Sequence, residues 1–561
     1  MKIKTITIHN FRSIKDTNIY LGDYSLLVGA NNSGKSNIID AIRVFFEGKD
    51  YGLKYDKKRD FPKLDTDNES WIDIEFELID EEYSNLKDEW RQPANKLRVR
   101  KYLVTNEIGS DKKPKSGIYA FTQDNTIADE HFYGAKNVQQ GKLGDIMYIP
   151  AVSKLDEHTK LSGPSVFRDL LNDIFNKLVK DSPSFKNLQQ EFSNFSTAFK
   201  EEETDDSKSL AGLEEDISSE IEEWDAGFRL LISPINEAAI VKNLISYVII
   251  DKNLNKFEMD ASSFGQGFQR HLIFVLIKMA AKYQASNLSR AKKEFKPDMM
   301  LLLFEEPEAF LHPPQQNVLC QSLKIIGTQT GQQTLLSSHS PHFVSHSSED
   351  ILSIIRLSRT AGETICGQIQ KDKLQQVFSE NQQINSILEG TKYEASKDDL
   401  KSDMEAIKYF MWLNPDRCGM FFASHVLLVE GPTEKVLLNY LLEQGMLKSP
   451  KGGLFVLDCM GKFNMHRFMN ICGPMCIRHS VLFDADSGKE THQHIQEFIE
   501  DSKNDYTVKI DNFTNDIEDF LGIEKCNKPY RKPQHVLLKL KEGVISEEKI
   551  KSLVKKINDL I

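Results

Sequence analysis

The sequence predicts an α/β fold in two or three domains, and three stretches predict it. The apolar run Tyr24-Ser25-Leu26-Leu27-Val28 leads into Gly29-Ala30-Asn31-Asn32-Ser33-Gly34-Lys35-Ser36, after which Asn37 to Arg43 has helical periodicity. From Asp298 a continuous apolar run ends in Glu305-Glu306-Pro307, as in a central parallel strand buried on both faces. A third run, His425-Val426-Leu427-Leu428-Val429, opens another strand-then-helix segment.

With 561 residues the chain exceeds what one core supports. Its 40% hydrophobic and 27% charged content is ordinary for a globular protein. No apolar run approaches the ~20 residues of a membrane span. Met1 to Ile8 alternates like a strand and lacks the apolar core of a signal peptide. A cytoplasmic location and no membrane partner are therefore expected. Seven scattered cysteines do not make a disulfide framework. Cys472 and Cys476 lie near His466 and His479, but the spacing fits no standard zinc site, and buried thiols explain it better. A net charge of −12 means that contact with nucleic acid must use local basic patches. Lys96-Leu97-Arg98-Val99-Arg100-Lys101, with Lys112, Lys113 and Lys115, is one such patch or the solvated face of a strand pair.

Taken in order, residues 1–154 read mainly as strands, with Trp71 to Leu78 alternating cleanly and Gly144 to Pro150 forming a buried strand. Residues 155–243 read as a helical insertion: glycine and proline become rare, and Phe167 to Phe175 has helical spacing. Glu201 to Asp206 is expected as an exposed loop between two of its helices. Residues 244–365 return to the first domain, with a strand from Leu244 to Asp251, a helix from His271 to about Tyr283, and a buried strand at Thr334 to Pro341. Residues 366–415 are polar and read as a linker, and 416–561 as a separate α/β domain.

Two sets of residues carry chemistry. Strand–GxxxxGKS–helix is the arrangement of a P-loop. Its glycines, Gly29 and Gly34, let backbone N–H groups around Asn32 close on phosphate oxygens, aided by the positive end of the helix dipole. Lys35 would reach the β- and γ-phosphates, and Ser36 would ligate Mg²⁺. Two carboxylates at a buried strand end need a cation. Glu305 would support Mg²⁺ through water, Glu306 would orient the attacking water, and His339 would bond the γ-phosphate or that water. Their strand is expected beside the P-loop strand. The second set begins with Glu430-Gly431-Pro432-Thr433-Glu434 at a strand-to-helix turn, where Glu430 and Glu434 can share a site. Asp484-Ala485-Asp486 ends a later strand, and both aspartates are expected to point one way. Four converging carboxylates repel unless divalent cations neutralise them, and Mg²⁺ or Mn²⁺ suits an oxygen-only set.

The first set resembles ATP-binding-cassette (ABC-type) ATPases of the chromosome-maintenance and recombination branch. Asn10-Phe11-Arg12-Ser13-Ile14 resembles their N-terminal strand motif, Ser263-Phe264-Gly265-Gln266-Gly267 their signature motif, Glu305-Glu306-Pro307 the Walker B motif, and His339 the switch histidine. The resemblance implies ATP contacts from Arg12, Ser263 and Gly265, and an ATP-dependent dimer in which one signature closes over the other subunit's ATP. The second set resembles the Toprim fold. Together, an ABC-type P-loop ATPase head with an inserted helical dimerisation region and a C-terminal Toprim domain resembles the overcoming-lysogenisation-defect nucleases. Relatives there include the Gabija nuclease subunit and retron-associated effectors.

That resemblance implies Mg²⁺- or Mn²⁺-dependent DNA cleavage, a homodimer or tetramer, and an anti-phage role beside a helicase-like protein or a retron RNA/DNA. It also places metal ligands and a lysine after the aspartate pair. Asp516-Ile517-Glu518 fits the first, Glu518 better; Lys532 fits the second, with Lys539 competing. The rival expectation is a sensor or assembly ATPase whose Toprim domain binds nucleic acid or a partner without cutting alone.

Overall fold

The computed structural model describes residues 1–48, 51–63, 66–109, 112–135, 143–151, 182–204, 208–222, 226–230, 247–252, 257–260, 263–284, 299–344, 351–486 and 490–561, with a few single positions between. The chain divides into two compact units, 1–151 with 292–561, and 152–291. Among the described residues no helix is long and apolar enough to cross a membrane.

The first unit begins with an antiparallel sheet. Its strands are β1 (Lys2–Phe11), β2 (Ile14–Tyr20), β4 (Ser70–Glu77), β5 (Lys96–Val104), β6 (Gly117–Phe121) and β7 (Ile127–His131), in the order β2-β1-β4-β5-β6-β7. Alternation puts Ile3, Ile6, Ile8, Ile72, Ile74 and Phe76 into one core with Ile38, Ile39 and Ile42 of the helix Lys35–Phe45. Each such side chain contributes roughly 1.5–3 kcal/mol on burial. The other face of β5 settles the basic patch: Lys96 pairs with Glu75, and Arg98 and Arg100 both pair with Asp73. Lys101 is buried and donates to Val44 O, near the helix end, and to Glu47. The strand-pair reading holds for Lys96, Arg98 and Arg100, because β4 supplies a carboxylate opposite each arginine, whereas Lys101 is on the buried face.

A second, mostly parallel sheet carries the P-loop. With β3 (Tyr24–Val28), β8 (Asp145–Ile149), β11 (Met300–Glu305), β12 (Gln332–Ser337), β13 (Ile354–Thr360) and β14 (Glu363–Gln368), its order is β14-β13-β3-β12-β11-β8. This corrects the expected adjacency. The Glu305 strand lies one place away from the P-loop strand, because β12 pairs with both. His339, just beyond β12, thereby sits between the loop and Glu306. The Gln368 side chain reaches the first sheet, accepting from Tyr20 N and donating to Tyr20 O.

The C-terminal sheet is wholly parallel: β15 (His425–Val429), β16 (Leu454–Asp458), β17 (His479–Asp484) and β18 (Thr507–Phe513), in the order β16-β15-β17-β18. Residues 366–415, expected as a linker, have secondary structure of their own. They form helices Lys371–Gln382, Ile384–Leu388 and Ser402–Trp412. Leu374, Val377, Ile384, Leu388 and Tyr409 are buried there, too few among polar neighbours to dominate the sequence pattern. Tyr409 donates to Arg467 O and Glu405 pairs with Arg467, so these helices are bound to the C-terminal domain.

The second unit contains helices Pro183–Glu201 and Leu210–Glu220, begun by the hydroxyls of Ser182 and Ser209. Lys200 pairs with Glu214 across them. It also holds the antiparallel pair β9 (Ile249–Asp251) and β10 (Phe257–Met259), and the helix Gln266–Gln284. Most of Phe167 to Phe175 and residues 205–206 of the acidic tract lie outside the described residues.

Candidate active sites

At the P-loop, Gly29 and Gly34 adopt φ of 139° and 111°. A Cβ at Gly29 would collide with the Leu357 carbonyl, and one at Gly34 with the Thr364 hydroxyl, so both positions require glycine. Asn32 is exposed, also at positive φ. Lys35 folds back to donate to Gly29 O at 2.9 Å and Ala30 O at 3.0 Å. Burial lowers its pKa to about 8, against the pull of Glu306, Glu308 and Glu305. Those three carboxylates place the Walker B end within electrostatic reach of the loop.

Glu305 accepts from Tyr148 Oη at 3.1 Å and from the Ser36 hydroxyl. Burial raises its pKa. Glu306 has φ 45°, a strained conformation for a non-glycine residue, and its carboxylate stands 3.5 Å from His339 Nε2. Burial, then the Lys35 charge, lowers the His339 pKa and favours neutral imidazole. Glu308 fixes this end: its Oε1 accepts from Ser338 Oγ at 2.8 Å and His339 N at 2.7 Å. Sequence reasoning gave Glu308 no role, although it lies within the same motif.

Arg12 is committed elsewhere. Its guanidinium pairs with Asp40 at 2.7 Å and Asp60 at 2.9 Å. Ser263 is exposed, and Gly265 begins the helix Gln266–Gln284, accepting from Phe268 N and Gln269 N. Both lie in the second unit.

In the C-terminal domain, the ends of the parallel strands gather carboxylates. Glu430 follows β15, and its Oε2 accepts from Asp484 N at 3.2 Å. Glu434 is buried in the first turn of the helix Pro432–Glu443 and accepts from Gly431 N at 3.1 Å. Lys532 begins the helix Lys532–Lys541 with its Nζ 3.5 Å from Glu518 Oε2 and 3.9 Å from Asp484 Oδ2. Burial raises Glu434 to about 7. Burial, then Glu434 and Glu430, raises Asp484 to about 8. Burial alone would lower Lys532, yet Asp484, Glu434 and Glu518 hold it above the ordinary lysine value.

The late choices separate by geometry. Asp516 caps the helix Ile517–Leu521 and pairs with Lys525, whereas Glu518 is buried and faces Lys532. Lys539 pairs with Glu542 at the surface. Asp486 departs from expectation. β17 ends at Asp484, and Asp486 lies beyond it at φ 52°, so strand alternation does not align the two aspartates. Its carboxylate meets Lys462 Nζ at 2.8 Å and His492 Nδ1 at 2.9 Å. Lys462, almost fully buried, also donates to Asp484 O at 2.6 Å. Neither Lys462 nor His492 was singled out. The Gly461-Lys462 loop after a strand was the available signal.

Asp484 Oδ1 is buried with no hydrogen-bond partner among the described residues. The oxygen-only donor set therefore fits a hard divalent cation. As placed, no group of three or more His, Cys, Asp or Glu side chains among the described residues is drawn together closely enough to hold a metal ion. The His and Cys set has other partners: His466 meets Asn381 O, and His479 meets Ile477 O and Thr507. Cys472 is fully buried, its pKa raised to about 12 by burial.

The fold and its two sites define a P-loop ATPase carrying a carboxylate-bearing parallel α/β domain. The chain belongs to the AAA ATPase domain family, whose model matches residues 1–344. Residues 421–486 match the TOPRIM domain of overcoming-lysogenization-defect-like proteins. The Old nuclease of Escherichia phage P2 is 22% identical over 496 residues, covering 87% of this chain and 77% of that protein. Endonuclease GajA of Bacillus cereus (strain VD045) is 22% identical over 498 residues, covering 87% and 75%. Among solved structures, the Smc head domain from Pyrococcus furiosus has 16% identity and a TM-score of 0.38, covering 68% of this chain and 99% of that one.

Proposed function

We propose that this chain is an ATP-hydrolysing, divalent-metal-dependent DNA endonuclease, nicking or cutting both strands, that acts in anti-phage defence in the cytoplasm. The observation that carries the reading is the meeting of Glu430, Glu434, Asp484 and Glu518 around Lys532. The names nuclease and endonuclease, borne by relatives similar over most of the chain, support it.

Glu430, Glu434, Asp484 and Glu518, with Asp486 at the rim, would hold Mg²⁺ or Mn²⁺. When bound, such an ion supplies Lewis-acid charge and an activated water at neutral pH. Asp484, fixed to Glu430 through its backbone N–H, would set the donor geometry. Lys532 would balance negative charge developing on the phosphate under attack. At the other site, Lys35 would leave its own loop carbonyls for the β- and γ-phosphates, and Ser36 would pass from Glu305 to Mg²⁺. Glu306 would accept a proton from, or orient, the attacking water, with His339 beside it.

Ser263 and Gly265 are assigned to closure over the ATP of a second copy, in a dimer or tetramer. Exposed Phe195 and Phe199, stacked at 5.3 Å on the helix Pro183–Glu201, support contact between copies. A helicase-like protein or a nucleic acid of the host system is the proposed additional partner.

The test is plasmid DNA with Mg²⁺ or Mn²⁺, with and without ATP. Nicking that vanishes in Asp484→Ala/Asp486→Ala is expected. Absence of nicking under all conditions, or nicking that survives the double substitution, overturns the reading.

A further inference from the structure

One buried cation takes no part in either site. Arg356, on β13, is 3% exposed. Its guanidinium donates to four backbone carbonyls of the C-terminal domain: Phe421 O at 3.3 Å, Ala423 O at 3.0 Å, Met475 O at 3.3 Å and Cys476 O at 2.6 Å. Burying a guanidinium is costly, and these four carbonyls engage four of its five N–H donors. Phe421 and Ala423 lead into β15, which Glu430 directly follows; Met475 and Cys476 lead into β17, which ends at Asp484. Arg356 thus grips the entrances of the two strands whose exits carry the carboxylates.

The same residue abuts the nucleotide loop through its backbone. β13 pairs in parallel with β3, Arg356 opposite Val28, immediately before Gly29. The next carbonyl, Leu357 O, fills the space a side chain at Gly29 would need. On β14, Thr364 donates to Ser33 O at 3.2 Å. Farther along β14, Gly367 lies opposite Arg356 and packs so closely on Met475 that any Cβ would collide with its backbone. The β13–β14 hairpin therefore presses on the P-loop at Leu357 and Thr364, and on the C-terminal domain at Arg356 and Gly367. Short, close-packed elements of this kind pass on a displacement instead of absorbing it.

We propose that this hairpin transmits the nucleotide state of the P-loop to the carboxylate cluster, and that Arg356 is the positioning residue by which it does so. Nucleotide entry pulls Lys35 off Gly29 O and Ala30 O, shifts the loop against Leu357, and moves the entrances of β15 and β17 together. The inference rests on the proposed function only in naming the cluster as the cutting site.

The test is hydrogen–deuterium exchange of the full chain, with and without a non-hydrolysable ATP analogue, in wild type, Arg356→Gln and Arg356→Lys. In wild type the analogue is expected to change exchange at residues 24–36 and also at 421–430 and 475–484. In Arg356→Gln the change at 24–36 persists while that in the two distant segments falls at least tenfold. Arg356→Lys, which keeps the charge and loses the four-carbonyl grip, gives the same loss and serves if the glutamine variant fails to fold. No distant change in wild type, or an undiminished change in either folded variant, overturns the proposal. Plasmid nicking in the same preparations separates the two claims: wild type that exchanges as expected and never cuts removes the nuclease reading and leaves the transmission intact.

Discussion

Lys462 donates to the Asp486 carboxylate at 2.8 Å and to the Asp484 carbonyl at 2.6 Å, holding both ends of the Asp-Ala-Asp turn from a buried position. Replacing it with methionine keeps the volume and removes the anchor. Supporting residues of this kind typically contribute about 10–100-fold to metal affinity or activity. Lys462→Met is expected to lower nicking and Mn²⁺ affinity by about that factor, measured by plasmid assay and calorimetry, with Lys462→Arg partly restoring both.

The raised acids make metal-free stability depend on pH. Glu434 at about 7 and Asp484 at about 8 bind protons in the folded chain that the unfolded chain has released. Their contribution is full below ordinary carboxylate values and is lost as pH rises through about 7 and 8. Melting of metal-free protein should therefore fall between those limits, and Asp484→Asn should flatten the slope. Metal binding displaces the same protons, so Mn²⁺ affinity should strengthen with rising pH.

Glu306 and Lys35 predict different failures of the ATPase. Glu306→Gln is expected to bind ATP and slow its hydrolysis by about 10²–10⁴-fold, the usual worth of a positioned base. Lys35→Ala is expected to lose binding itself. Phosphate release and fluorescent-nucleotide titration distinguish them; normal turnover in Glu306→Gln contradicts the assigned role.

Arg467 and Glu405 form a buried pair through two 2.9 Å bonds, with Lys408 on the same carboxylate. Arg467→Ala should cost about 3 kcal/mol, because it strips a buried carboxylate of its main partner. Urea unfolding measures this, and pairing the change with Glu405→Gln should recover part of it.

The local parts of this architecture were legible and the spatial ones were not. Gly29 to Ser36 and the run ending at Glu305 carry their chemistry in consecutive residues, so spacing alone identifies them. The place of β12 between their strands is set by long-range pairing that no window of sequence contains. Glu430, Glu434 and Asp484 were readable because each lies at a strand or helix end. Asp486 was misdirected because one left-handed residue beyond β17 breaks the alternation rule. Lys462 and Arg356 stayed hidden because an isolated basic residue looks like surface until its burial is known.

Both rims of the N-terminal sheet carry features that discourage pairing with an intruding chain. At β2 the Gln368 amide supplies the donor and acceptor that a further strand would bring to Tyr20. At β7 only five residues are offered, with Asp129 and Glu130 exposed. Charge and brevity discourage edge-to-edge aggregation. That sheet is thus a poor template for a strand from another copy of the chain.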